Sequence, residues 1–254
     1  MRFGDDDAGV TIATADGIAD VRLDRPAKLN ALKPAVIRGI EQALAHLSDM
    51  ADLRCVVLSG GGRSFSAGMD LEVLATGALS IGPLGPRSHG KANLAQHCAL
   101  GWRELPVPVI AAIHGHCFGG GLQIAMGADV RIAAPDARLS IMEAKHGLVP
   151  DMGLYVLARR VVREDVLREL IFTARQVSGE EAQTLGLVTR VATDPLAEAM
   201  ALAQDIAAKS PAAIRAAKRL ANAMDEGDGG ALLQAESDEQ TALIDGLLKA
   251  MRSD

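Results

Sequence analysis

Aromatic residues are scarce in this chain: one Trp, one Tyr and four Phe make up 2% of its 254 residues. A platform for stacking bases or sugars needs aromatic faces, so this composition argues against one. Positive charge is also in short supply. Lys and Arg number 26 against 32 Asp and Glu, a formal charge of −6. That balance offers no basic field to a phosphate backbone and excludes nucleic acid as an expected partner. No apolar run approaches the roughly 18 to 20 residues of a membrane span. The opening MRFGDDDAGV puts acids where a secretory leader carries basic and then apolar residues. The expectation is a cytoplasmic protein with no membrane partner. Cysteine is limited to Cys55, Cys98 and Cys117. An odd number at unrelated spacings argues against a disulfide framework or a CxxC metal clip.

What the chain does hold is aliphatic side chains and 26 Gly, with 49% hydrophobic residues overall. That suffices to bury the core of one domain, or of a domain with an appendage. Val10, Ile12 and Thr14 lead to Asp16-Gly17 and then Ala19, Val21 and Leu23. Asp-Gly between two period-2 runs predicts a hairpin, because both central turn positions need positive φ. Val36, Ile40, Leu44 and Leu47 follow Pro34 at helical spacing and end near Asp52. Cys55 to Leu58 and Val109 to Ile113 are continuous apolar runs, as in strands covered on both faces. Each opens into glycines, Gly60 to Gly62 after the first and Gly115 with Gly119 to Gly121 after the second. Leu122 to Met126 then has helical character, Val130 to Ala133 reads as a third short strand, and 139–153 reads as loop. Residues 154–176 look mainly helical. The last sixty residues form alanine-rich helices, with Leu196, Met200, Ala203 and Ile206 on one face, a Ser210-Pro211 start, and a break at Asp225 to Gly230. Residues 76–90 are too rich in Gly, Pro and Ser for a packed element and suit a surface segment near a site.

Several familiar chemistries find no footing. Gly60 to Asp70 lacks the Lys-Ser/Thr pair of a phosphate loop, and Gly115 to Gly121 lacks GxGxxG spacing. His114-x-His116 beside Cys117 has no further ligand at a useful spacing, so packing histidines are the expectation. Phe65-Ser66-Ala67-Gly68 is not a G-x-S-x-G elbow. Two glycine-bordered turns after buried strands remain, whose backbone amides could point at a common oxygen without any side chain. The same glycines could serve only tight turns and close packing. Glu143 and Asp151 sit in a stretch punctuated by Gly147, Pro150 and Gly153, with Lys145 as an available ion-pair partner. By position alone each carboxylate is equally a solvated loop charge.

Taken together, these segments resemble the crotonase superfamily of enoyl-CoA hydratases and isomerases. The resemblance rests on LDRPAKLNAL at 23–32, VLSG at 57–60, FSAGMDL at 65–71, PVIAAIHG at 108–115 and FGGG at 118–121. It continues through DVRIA at 129–133, ARLS at 137–140, GLVP at 147–150 and AQTLGLV at 182–188. It implies an α/β fold, a spiral of ββα units in stacked sheets, with a core over 1–195 and a helical oligomerisation region over 196–254. It also implies a homotrimer or a dimer of trimers acting on an acyl-CoA thioester, with CoA entering as part of the substrate and no further cofactor or metal. Carried over residue by residue, the oxyanion donors fall on the Ala67 and Gly120 amides. Gly68, Met69 and Asp70 join them along the acyl thioester, and the Ala27 to Asn30 stretch, with Ala27 and Leu29 foremost, lies along CoA. One of the family's two catalytic glutamates falls on Glu143; the other position holds Gln123. An amide cannot take up and return a proton as a carboxylate does. Asp151 matches an aspartate of the dienoyl-CoA isomerases. The expected reaction is therefore double-bond isomerisation of an enoyl- or dienoyl-CoA through Glu143 and Asp151. Hydration of a 2-enoyl-CoA is the alternative, ahead of thioester hydrolysis or acyl-CoA binding without catalysis. Residues 76–90 and a helix over 93–104, with Trp102, are expected to shape the acyl pocket.

Overall fold

The computed structural model describes residues 1–5, 9–76, 84–224 and 229–251. The chain opens with three antiparallel strands, β1 (Arg2–Gly4), β2 (Gly9–Ala15) and β3 (Ile18–Asp24). Asp16 and Gly17 both take positive φ, 52° and 76°, as the hairpin pattern predicts. Pro34 occupies the first turn of α1 (Pro34–Ser48), which buries Val36, Ile40, Leu44 and Leu47. Next come β4 (Cys55–Gly60), the short α2 (Leu71–Ala75), α3 (Leu94–Glu104), β5 (Val109–Ile113), β6 (His116–Phe118), α4 (Gly120–Met126) and β7 (Val130–Ala133). Beyond them lie β8 (Arg138–Ser140), α5 (Leu154–Ala158), α6 (Glu164–Thr173), β9 (Val177–Ser178), α7 (Gly179–Thr184) and β10 (Arg190–Val191). Three helices close the chain: α8 (Pro195–Ala207), α9 (Pro211–Ala223) and α10 (Gly229–Met251). No helix among the described residues is long and apolar enough to cross a membrane.

Seven strands form the main sheet in the order β1-β2-β3-β4-β5-β7-β10, parallel from β3 onward. Successive side chains of a strand point to opposite faces, and the two faces of this sheet are filled separately. Val56, Leu58, Val109, Ala111 and Ile113 join α1, α3 and α4 in the larger core, whereas Cys55, Val57, Ile110, Ala112 and Ile132 lie under α8. Ala199 and Ala203 let that helix approach the sheet, flanked by Leu196, Met200 and Ile206, the residues whose spacing marked its apolar face. Residues just past position 195 thus cover one face of the sheet. Helix α9 is fastened by Lys218, whose ammonium donates to Asp129 (2.8 Å) and to the carbonyls of Val107 (2.7 Å) and Trp102 (3.3 Å).

A second, three-stranded sheet of β6, β8 and β9 accords with the stacked sheets that the resemblance implies, although its strands are not legible one by one in the residues. The stretch 139–153 read as loop contains the end of β8 and a 3-10 turn over Glu143–His146. The expected surface segment 76–90 and the helix break at 225–230 fall in part on 77–83 and 225–228, outside the described residues. Trp102 departs from expectation. It is 0% exposed, donates its indole N–H to the Cys98 carbonyl (2.9 Å), and packs in the larger core. A ring sealed this way cannot line a ligand pocket. Cys55, Cys98 and Cys117 are unpaired and buried.

Candidate active site

The two glycine-bordered turns meet beside β6. Ser66 donates its amide to the His116 carbonyl (2.9 Å) and accepts from the Phe118 amide (3.0 Å), so residues 65–67 run alongside this strand. Gly68 at φ 85° lies so close that a Cβ there would sit 2.7 Å from the Phe118 carbonyl oxygen. Opposite, Gly119 takes φ 49° and ψ −122°, a conformation open to glycine alone. The Gly119 carbonyl accepts from Gln123 (3.0 Å). Because C=O and N–H of a trans peptide point in opposite directions, the Gly120 amide is turned out of the helix. It lies in the first turn, where amides have no intrahelical acceptor. Leu32 Cδ1 and Met152 Sδ flank Gly120, each 2.9 Å from where its Cβ would stand. Leu32 closes the LDRPAKLNAL motif without a role of its own there, and Met152 belongs to no motif.

The first turn revises one expected donor. The Ala67 amide donates to the Leu29 carbonyl at 2.8 Å and is thereby engaged. One residue on, the Gly68 carbonyl accepts from the Leu32 amide (2.7 Å), and the Asp70 amide donates back to the Leu32 carbonyl (3.0 Å). The same planar-peptide argument turns the Met69 amide away from Leu32, and it has no acceptor among the described residues. Met69, rather than Ala67, offers the free amide of this turn.

Leu29 and Asn30 both adopt left-handed conformations, φ 51° and 55°. Such strain persists only where its surroundings over-determine it. Asn30 supplies that restraint: its side chain donates to the carbonyls of Gly61 (2.9 Å) and Ser64 (2.8 Å) and accepts from the Arg25 amide (2.8 Å). Its own carbonyl accepts from Ser66 Oγ (2.8 Å). Asn30, which the resemblance places only within the 27–30 stretch along CoA, is thus a site-building residue, and Asn is the non-glycine residue best suited to this conformation. Ala27 is exposed on the neighbouring 3-10 turn. Asp70 faces Arg25 (Oδ2–Nη1 2.5 Å) and accepts the Glu72 amide on Oδ1 (3.0 Å). Burial works to raise its pKa, but the Arg25 guanidinium, the Glu72 amide and the nearby Lys28 charge hold it below the ordinary value. Asp70 therefore locks the turn.

Glu143 brings its carboxyl to the glycine turn, with Oε1 3.4 Å and Oε2 3.8 Å from the position of a Cβ on Gly119. Oε1 accepts from Gln123 Nε2 (2.7 Å), while Oε2 is buried with no hydrogen-bond partner. Desolvation pushes the Glu143 pKa up. Its own amide and the Gln123 side chain pull it back, and the Asp151 charge adds to the rise. Asp151 is exposed, yet the protein around its carboxyl removes enough water to raise its pKa as well. Lys145 makes no ion pair with either carboxylate among the described residues. His114 and His116 behave as packing histidines, paired with the Gly62 carbonyl and Ser64 Oγ, each at 3.0 Å. Among the described residues, no group of three or more His, Cys, Asp or Glu could hold a metal ion.

The architecture has solved counterparts. The enoyl-CoA hydratase of Thermoplasma volcanium superposes with a TM-score of 0.83 at 28% identity, covering 96% of each chain. The human mitochondrial Delta(3,5)-Delta(2,4)-dienoyl-CoA isomerase is 35% identical over 217 residues, which are 79% of this chain and 64% of that protein. The chain thus spans less than two thirds of that relative. The carnitinyl-CoA dehydratase of Salmonella typhi is also 35% identical, over 82% of this chain and 78% of that one. The fold is accordingly that of the crotonase superfamily. Within it, the sequence profile described as enoyl-CoA hydratase/isomerase matches residues 13–248, and the chain belongs to that family of enzymes.

Proposed function

We propose that this enzyme shifts the double bond of an enoyl- or dienoyl-CoA thioester through an enolate. The Met69 and Gly120 amides donate to the thioester oxygen. Glu143 Oε2 takes a proton from carbon, and the C–H electron pair moves into the enolate. Reprotonation at the far end of the conjugated system completes the shift, with Asp151 as the proton carrier. The raised pKa of Asp151 suits it to hold a proton at that stage, and its match to an aspartate of dienoyl-CoA isomerases supports the role. Each oxyanion donor is worth roughly 3–4 kcal/mol of barrier. No cofactor is called for beyond the CoA of the substrate.

The observation that carries the reading is the buried, unpartnered Oε2 of Glu143, whose other oxygen, Oε1, meets the Gln123 amide where a second carboxylate would serve ordinary hydration. The similarity to carnitinyl-CoA dehydratases favours hydration and dehydration as the second reading. One experiment separates the two. A 3-enoyl-CoA substrate should gain conjugated thioester absorbance, and Glu143→Gln should abolish the gain. Loss of absorbance from a 2-enoyl-CoA, with none gained from the 3-enoyl substrate, would transfer the assignment to hydration. Release of free thiol would transfer it to hydrolysis. A cytoplasmic trimer or dimer of trimers belongs to the same proposal; exposed Phe172 (72%) and Leu233 (64%) suit self-association, which sedimentation would detect.

A further inference from the structure

We infer that Gln123 is a positioning residue that selects the reacting oxygen of Glu143 and ties that carboxyl to the segment carrying Asp151. The inference rests on Glu143 being the base. The two ends of the Gln123 amide are chemically unlike, and its surroundings permit one orientation. Oε1 accepts from the backbone amides of Met152 (2.8 Å) and Leu154 (3.3 Å). Neither of these groups can act as an acceptor, so a flipped amide would set its NH2 against two N–H donors. Gln123 is 1% exposed, and a buried mismatch of that kind finds no relief in solvent.

Nε2 is therefore bound to face Glu143, and it occupies Oε1 at 2.7 Å. That bond accounts for one carboxylate oxygen and leaves Oε2 the free acceptor. A buried carboxylate oxygen without a partner is costly to maintain, and its free lone pairs are where a substrate proton can be received. Gln123 has no dissociable proton, so it is no second base. Through Met152 and Leu154 it also joins the Glu143 turn to the backbone that follows Asp151. One amide thus sets the relation between the two carboxylates.

Few other charges reach Glu143. Helix α4 contributes no ionisable side chain. Lys145 and His146 of its own turn are exposed. On α6, Glu164 pairs with Arg168, Glu169 with Arg175, and Asp165 with Arg163. Asp151 is the charge that raises Glu143, and it is unaltered in the variants below.

The test is the pH profile of kcat for double-bond migration, with KM and thermal denaturation measured alongside, for the unaltered enzyme, Gln123→Glu and Gln123→Leu. Gln123→Glu keeps an acceptor for both backbone amides but sets a carboxyl against Oε1. The pair must then share a proton, and the acid limb should move up by about one pH unit or more. On that limb, at pH values below both pKa values, kcat should fall about tenfold for each unit of rise, with KM held within about twofold, because there the ionised fraction of the base drops tenfold per unit. Gln123→Leu removes the donor and should move the limb the same way. Because it strands the Met152 and Leu154 amides, its melting temperature will fall as well. An unmoved limb in a stably folded Gln123→Glu enzyme would overturn the inference and reduce Gln123 to a packing role. Glu143→Gln is the separate control: if it still moves the double bond, the identity of the base is wrong, whatever Gln123 does.

Discussion

A single methyl group at Gly121 should disable the site by forcing its two turns apart. An ideal Cβ there would stand 2.6 Å from Ser66 Cβ, 2.8 Å from Ser66 Oγ and 3.0 Å from the Ser66 carbonyl oxygen. Carbon atoms in contact prefer about 3.5–4.0 Å, so the two segments must separate by about 1 Å. Ser66 cannot yield alone, because its amide, carbonyl and hydroxyl are all bonded, to His116, Phe118 and Asn30. Overpacking of this kind costs about 1–3 kcal/mol, or roughly 2–10 °C in melting temperature for a chain of this size. The larger effect falls on chemistry. Met69 follows Ser66 by three residues and Gly120 adjoins Gly121, so displacement misaligns both proposed donors. Loss of one such donor lowers kcat by about 10²–10³. Exchange of the substrate α-proton with heavy water, followed by mass spectrometry, reads this step without requiring net turnover. Gly246→Ala is the matched control: nothing lies within 4 Å of its Cβ position in α10, and a helix-interior alanine should add about 0.5–1 kcal/mol of stability without altering exchange. Should Gly121→Ala exchange at the unaltered rate while its melting temperature falls, the spacing of the two turns is not what holds the oxyanion.

Two further predictions concern stability. Lys218→Ala leaves Asp129 without its buried cation and should cost about 3 kcal/mol in urea denaturation; a loss under about 1 kcal/mol would mean that the tie of α9 to the body lies elsewhere. Protonation of His97 is disfavoured chiefly by burial and secondarily by electrostatic repulsion from His89, whose ring centre lies 4.4 Å away, while Glu104 and Glu41 oppose the effect. Its folded pKa lies below the ordinary 6.5, so the unfolded chain binds this proton more readily. The associated stability is present above pH 6.5 and is lost as pH falls through the folded value. His97→Gln should flatten the difference in melting temperature between pH 7.5 and pH 5.5, and an equal slope in both proteins would remove His97 as the cause.

Much of this fold can be read where the information is local. Asp16-Gly17 between alternating runs specifies a hairpin, Pro34 a helix start, and the unbroken runs of β4 and β5 strands covered on both sides. Strands β6, β8 and β9 span three, three and two residues, too short for any period to declare itself. The site divides in the same way. Glu143 and Asp151 can be picked out as carboxylates in a stretch punctuated by glycine and proline, whereas Gln123 and Gly120 come only from the family resemblance. Which amide of the 66–70 turn is free depends on the rotation of each peptide plane, which residue type does not encode, and the pairing with Leu29 and Leu32 turns it from Ala67 to Met69. Trp102 is likewise ambiguous, since an amphipathic helix offers a large ring to core or cleft alike, and the carbonyl of Cys98 decides for the core.

The seclusion of the three thiols has a chemical consequence. Burial pushes Cys55 up to about 12 and Cys98 and Cys117 further still, so none carries the thiolate that attacks electrophiles. Conjugated enoyl thioesters are Michael acceptors that alkylate accessible thiolates. Under the proposed double-bond shift, which would generate such compounds, thiols that stay protonated and out of reach would spare the enzyme self-inactivation, and a maleimide would label only those molecules that have come unfolded.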